Sequence, residues 1–213
     1  IRDRLRRAEF ADGIEQIGKF AFYANRNLTR LYLPSSLKTI GEQAFRSCTG
    51  LLSVLLPSTL ENVGAHAFYR CTQLTVYSDA QSVPESWDTR WNSSFRPVML
   101  GCTLSEDGSY VVSVTINESL MLNVERLSES GDSAPVLGNN RFSSPSRRGY
   151  NFSGWTTQAD GTTPELTGSD IADLPEGTVL YTVWEVETEE PEDEEPGEGE
   201  IDRSLSDVPS LWS

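Results

Sequence analysis

Apolar positions recur along the first third of the chain with a fixed step. Ile17, Ile40 and Val63 align, as do Gly18, Gly41 and Gly64, and the pairs Ala21-Phe22, Ala44-Phe45 and Ala67-Phe68. Leu28, Leu51 and Leu74 follow, then Leu33 and Leu56, then Pro34 and Pro57; every step is 23 residues. The frame extends backwards, since Leu5, Ala8 and Phe10 sit 23 residues before Leu28, Leu31 and Leu33. Self-similarity at such a period is the mark of a solenoid, in which one unit cannot bury its own apolar face and its neighbours must. The first coil starts inside a repeat, so further repeats or a cap are expected upstream.

Within each unit the alternation Leu28-x-x-Leu31-x-Leu33 predicts a short strand with one buried face. Pro34 ends it by removing a ladder donor. Ile40-Gly41 predicts a turn where a side chain would crowd the next coil. Residues alternating with the buried leucines are expected to point outwards: Arg7 and Glu9, Arg30 and Tyr32, Ser53 and Leu55, then Val76. Aromatic groups beside arginines are a common composition at binding hot spots. Arg7, Glu9, Arg30, Tyr32, Ser53 and Leu55 are therefore the candidate binding residues. In the stretch 79–101, Pro84, Trp87, Trp91-Asn92 and Pro97-Val98 suggest a lid of tryptophans over the last coil. The rival reading of Trp87 and Trp91 is an exposed platform for sugar.

The string Ile40-Gly41, Ala44-Phe45, Cys48, Leu51, Val54, Leu56-Pro57 resembles the leucine-rich repeats of the BspA type. The resemblance covers about residues 1–78 and implies a bacterial surface or secreted protein. Asn25 stands where the other repeats have cysteine, and the third repeat lacks the proline. Cys48 and Cys71 share a repeat position; a ladder of free thiols matches the family's use of it, with a disulfide as the alternative.

From Gly101 the period stops. Tyr110 to Ile116 and Thr178 to Trp184 read as strands, and residues 126–147 as loop. Gly149-Tyr150-x-Phe152-x-Gly154-Trp155, followed by Thr178-x-Leu180-Tyr181-x-x-Trp184, resembles the Listeria–Bacteroides repeat over about 104–186. That likeness implies a small β-grasp-like module with these aromatics mostly in its core. The usual Asn-Gly-Gly turn after the first strand is replaced by a longer loop. The predicted fold is thus an α/β leucine-rich repeat solenoid, short-stranded and β-rich (1–101), then a β-grasp-like domain (102–186) and a disordered acidic tail (187–213).

Charge sharpens the division. The formal charge is −15, yet residues 1–75 carry about +4, 76–184 carry −8 and 185–213 carry −11, counting Lys/Arg against Asp/Glu. The run Glu185 to Glu200 has ten acids and no base, and cannot bury enough to offset its ordering entropy. Residues 201–213 regain some apolar groups. Nucleic acid is excluded as a partner of the whole chain, because a polyanion repels a polyanion. No apolar run approaches the ~20 residues of a membrane span.

Catalytic signatures are missing from the sequence. The one histidine, His66, occupies the slot held by Phe20 and Gln43 in other repeats. No zinc-protease, nucleophile-elbow or phosphate-loop pattern occurs, and Cys48, Cys71 and Cys102 lack the close-spaced pair of a zinc site. No enzyme activity, cofactor or metal is expected. The expected function is adhesion or protein interaction at a bacterial surface, towards a host or bacterial surface protein or glycan. The alternative is a carbohydrate-binding or spacer region of a larger secreted enzyme.

Overall fold

A computed structural model describes residues 5–116, 143–166 and 174–188. Twelve strands follow in chain order: β1 (Arg7–Glu9), β2 (Gln16–Ile17), β3 (Arg30–Tyr32), β4 (Thr39–Ile40), β5 (Ser53–Leu56), β6 (Asn62–Val63), β7 (Thr75–Ser78), β8 (Val98–Met99), β9 (Thr103–Leu104), β10 (Val111–Thr115), β11 (Tyr150–Thr156) and β12 (Val179–Val186). Up to β8 the chain winds as a solenoid. β2, β4 and β6 form one parallel sheet; β1 pairs with β3, and β5 with β7 and β8, along a second side.

The α/β label does not hold, because the described residues contain no helix. The reason lies in the turns that carry the Ala-Phe pairs. Phe20 and Ala24, Gln43 and Ser47, His66 and Arg70 all have positive φ, between 55° and 63°. A left-handed residue every fourth position breaks helical propagation. The amides turn to the next coil instead: Phe22 N donates to Ala44 O at 2.7 Å and Phe45 N to Ala67 O at 2.9 Å.

One aromatic column runs through the stack. Phe22, Phe45 and Phe68 lie face to face at 5.2 and 5.4 Å, with Phe10 edge-on at one end and Trp91 at the other. Trp91 is 23 residues after Phe68, and Trp87 is 23 after Gly64. The expected lid is therefore a further coil with tryptophan in the phenylalanine slot, and β8 continues the sheet of β7. Trp87 and Trp91 are buried, and Trp87 Nε1 donates to Leu60 O. A sugar platform on them has no exposed ring to offer.

Glycine spacing reflects close backbone approach. A Cβ on Gly41 would lie 2.6 Å from Lys19 N, and one on Gly64 2.5 Å from Glu42 N. The crowded neighbour is the preceding coil, not the following one. Gly18 has nothing within 4 Å.

The strand register contains a slip. β1 pairs with β3 at a separation of 23, Ala8 facing Leu31, but β5 pairs with β7 at 22, Val54 facing Val76. A shift of one residue exchanges the two faces of a strand. Val76, expected outside, is buried in the solenoid core, and Tyr77 points outwards.

Tyr77 does not meet solvent there. The chain turns at Gly101 into an antiparallel sheet of order β11-β12-β10-β9, which lies against the outward side of the repeat strands. Tyr77, Met99, Cys102, Val111, Val114, Ile116, Trp155 and Leu180 form a second core, with Leu55 and Phe152 packed on it. Trp155 and Leu180 are buried as expected, while Tyr150, Phe152, Tyr181 and Trp184 are half-buried. A β-grasp label is not supported by an all-antiparallel sheet with no helix across it among the described residues. Most of the predicted loop 126–147 and the tail beyond residue 188 lie outside the described residues.

Candidate functional site

The candidate residues do occupy one side of the solenoid, since Arg7 faces Arg30 and Glu9 faces Tyr32 in the β1–β3 ladder. That side is largely covered by the chain's own second sheet. Arg7 and Glu9 remain exposed, Arg30 and Leu55 are half-buried, and Tyr32 and Ser53 are buried. The expectation of a continuous open face is thus corrected for Tyr32, Ser53 and Leu55.

The covering segment is Ser143–Asn151 together with Glu187. Ser143 N donates to Thr75 Oγ1 at 2.9 Å, and Tyr77 Oη donates to Ser143 O. Ser146 and Ser53 share a hydroxyl bond of 2.8 Å. Arg30 holds Glu187 at 2.6 Å through Nη1 and Asn151 Oδ1 at 3.1 Å through Nη2. Arg148 pairs with Glu9 at 3.0 Å and, like Arg7, lies over the Tyr32 ring. Burial raises the Tyr32 phenol above its usual range, against the pull of Arg30 and Arg7. Its hydroxyl is buried without a hydrogen-bond partner.

Among the described residues, two of the spaces that remain lie between the units. One, of about 50 Å³ beside Tyr32, Leu55 and Tyr77, has room only for water. The other is a cleft of about 310 Å³ whose walls include Arg30, Leu52, Ser144, Arg147, Tyr150 and Phe152. Its size is at the lower end of small-ligand pockets. In its wall the Arg147 guanidinium is sandwiched between the Tyr110 and Tyr150 rings, 4.1 and 3.7 Å from their centroids. Sequence reasoning missed this stack, because Arg147 fell in a presumed loop. The available signal was the turn Arg147-Arg148-Gly149-Tyr150, in which Gly149 takes φ 70° and Tyr150 N bonds back to Arg147 O.

The turn side of the coils carries a second uncovered pattern. Tyr23, Arg46 and Tyr69 share a repeat position, and the Arg46 guanidinium lies 5.8 Å from one ring centroid and 5.1 Å from the other. Phe20 and Tyr23 are exposed there, their rings edge to face at 6.1 Å.

Elsewhere the singled-out residues have structural roles. His66 Nδ1 bonds to Ser93 Oγ at 2.7 Å. Cys48 and Cys71 are free, buried thiols donating to Phe22 O and Phe45 O, the carbonyls of the preceding coil. Burial pushes the Cys71 thiol well up and the Cys102 thiol to about 12, which makes both poor nucleophiles. Among the described residues no cluster of histidine, cysteine and carboxylate could hold a metal, and no helix is long and apolar enough to cross a membrane.

Comparison with known proteins follows the same division. Residues 3–87 match the family described as BspA type leucine rich repeat region, in six copies. A solved leucine-rich repeat protein of T. pallidum is similar at 34% identity, over 37% of this chain and 36% of that one, with a TM-score of 0.31. The match thus spans little more than a third of that protein's length. Among curated proteins none matches the chain. The repeat unit, with its stacked coils and its period of 23, is a solenoid that over residues 3–87 is similar to leucine-rich repeats of BspA type.

Proposed function

We propose that the chain is a non-catalytic protein-interaction module of a bacterial surface or secreted protein. In this reading a repeat unit (1–101) carries a β unit of Listeria–Bacteroides type (102–186) and an acidic tail (187–213). The observation that carries it is the BspA-type repeat array, whose strand side keeps a charged rim of Arg7, Glu9, Arg30 and Arg148 around its covered centre. Such a rim steers and orients a polypeptide partner, while the covered centre holds it rigid. The partner is a host or bacterial surface protein.

The test is binding of the full chain to an array of purified matrix proteins, host surface proteins and glycans. A protein hit weakened tenfold or more by Arg7→Ala with Glu9→Ala supports the reading. Arg7 and Glu9 are exposed, so the Glu9–Arg148 ion pair lost with them is screened by solvent and leaves the two units joined through Arg30. A hit confined to glycans would reject it in favour of the carbohydrate-binding alternative.

A further inference from the structure

We infer that the cleft between the repeat strands and the second sheet is a carboxylate site, in which Arg147 grips an acidic side chain of a partner polypeptide. The inference rests on the reading of the chain as a protein-interaction module and names the chemistry of what it binds.

Arg147 is built into place. The glycine turn holds it against Tyr150, and Tyr110 of the strand-leading loop closes the other face. Stacking on both faces fixes the plane of the guanidinium and leaves its edge open. All five N–H donors lie in that edge. Among the described residues, none of them meets a hydrogen-bond acceptor or a carboxylate, although every neighbouring arginine of the interface has one: Arg30 has Glu187, and Arg148 has Glu9. A planar, immobilised fork is the group that recognises an oxyanion bidentately at little ordering cost.

The cleft itself says which oxyanion. Glu187 already places a glutamate carboxylate on Arg30, which lines the same cleft, so a group of that size and charge is accommodated beside it. Leu52 and Phe152 offer an apolar lining for its methylenes, and Ser144 a hydroxyl beside its oxygens. The repeat unit around the cleft is net positive, about +4 over residues 1–75, despite the acidity of the whole chain.

The experiment measures fluorescence anisotropy of a labelled octaglutamate peptide with the full chain at low salt, and with Arg147→Lys, Arg147→Gln and Ser144→Asp. Wild type binds. Arg147→Gln weakens binding at least tenfold. Arg147→Lys, which keeps the charge but loses the fork, weakens it severalfold. Ser144→Asp leaves the stack untouched and sets a carboxylate in the cleft, so it abolishes binding even if the Arg147 variants unpack Tyr110. Equal affinity of wild type, Arg147→Gln and Ser144→Asp overturns the proposal, as does preference for a heparin-derived octasaccharide with no octaglutamate binding. A protein hit on the array that survives such a failure leaves the interaction module intact and discards only the carboxylate site.

Discussion

Replacing Gly64 with alanine inserts one methyl group between two coils. Its Cβ would sit 2.5 Å from Glu42 N, 2.9 Å from Glu42 Cα and 3.0 Å from the Gly41 carbonyl carbon, where ordinary contact begins at 3.4 Å. The atoms it meets are backbone, so no side chain can rotate away. The coils must part by something approaching an ångström, beside the Gly64 N to Ile40 O bond of 2.8 Å that joins them. Overpacking of this kind costs about 3 kcal/mol. Gly41 fills the same repeat position, and a Cβ there would lie 2.6 Å from Lys19 N and 2.8 Å from the Gly18 carbonyl carbon. Alanine at Gly41 is therefore expected to cost a similar amount, and either substitution to lower Tm by roughly 9 °C for a chain of this size. Urea unfolding followed by tryptophan fluorescence and far-ultraviolet dichroism reads both variants. Midpoints within about 0.5 kcal/mol of wild type would show that inter-coil approach does not set the glycine requirement.

Further outcomes follow from single atoms. Tyr32→Phe removes a buried hydroxyl that has no partner and should leave stability unchanged or raise it by about 1 kcal/mol, whereas Tyr77→Phe orphans Ser143 O and should cost about 1–2 kcal/mol; chemical denaturation of the pair must show opposite signs. Asn25 buries a side-chain oxygen without a partner where the other repeats have cysteine, so Asn25→Cys should raise the urea midpoint by an amount equivalent to about 1 kcal/mol. The hydroxyls of Ser105 and Ser109 and the Ser109 amide pull the Asp107 carboxyl down to about 2. A lowered folded pKa means that this stabilisation is present above the ordinary carboxylate value of 3.8 and is lost as pH falls through about 2. Wild type should accordingly exceed Asp107→Asn in denaturant midpoint at pH 6, and the two should converge at pH 2.

Periodicity made the solenoid legible, because every coil repeats the same packing problem and the chain answers with the same residue types. Phe22, Phe45 and Phe68 could be placed in one column from spacing alone, and Trp91 belongs to it by the same arithmetic, although its surroundings are too polar to read as a repeat. The helix implied by an α/β label was never in the pattern. Left-handed turns at Phe20, Gln43 and His66 leave no signature, since none of them is the glycine that ordinarily marks a positive φ. The open strand face was misread for a different reason. Nothing local in Arg30 or Tyr32 reveals that Glu187 and Asn151, more than a hundred residues later, close over them. A period relates each repeat to its neighbours and carries nothing of a partner outside it.

The one-residue shortening between β5 and β7 also has a mechanical meaning. Leu28 and Leu31, like Leu51 and Val54, stand three residues apart, whereas Leu74 and Val76 stand two apart. The chain absorbs the lost residue before β7, so Val76 still faces Val54 in the core and Tyr77 still faces Leu55 on the outer side. Facing, not spacing, is what the fold keeps, and it leaves Tyr77 as a bolt between the coils and the second sheet. Restoring a residue between Leu74 and Thr75 would return the step to 23 with both side chains on the faces they hold, so the bolt should survive it. Tyr77→Ala draws the bolt instead, and should separate the unfolding of the two units while each keeps its own strands.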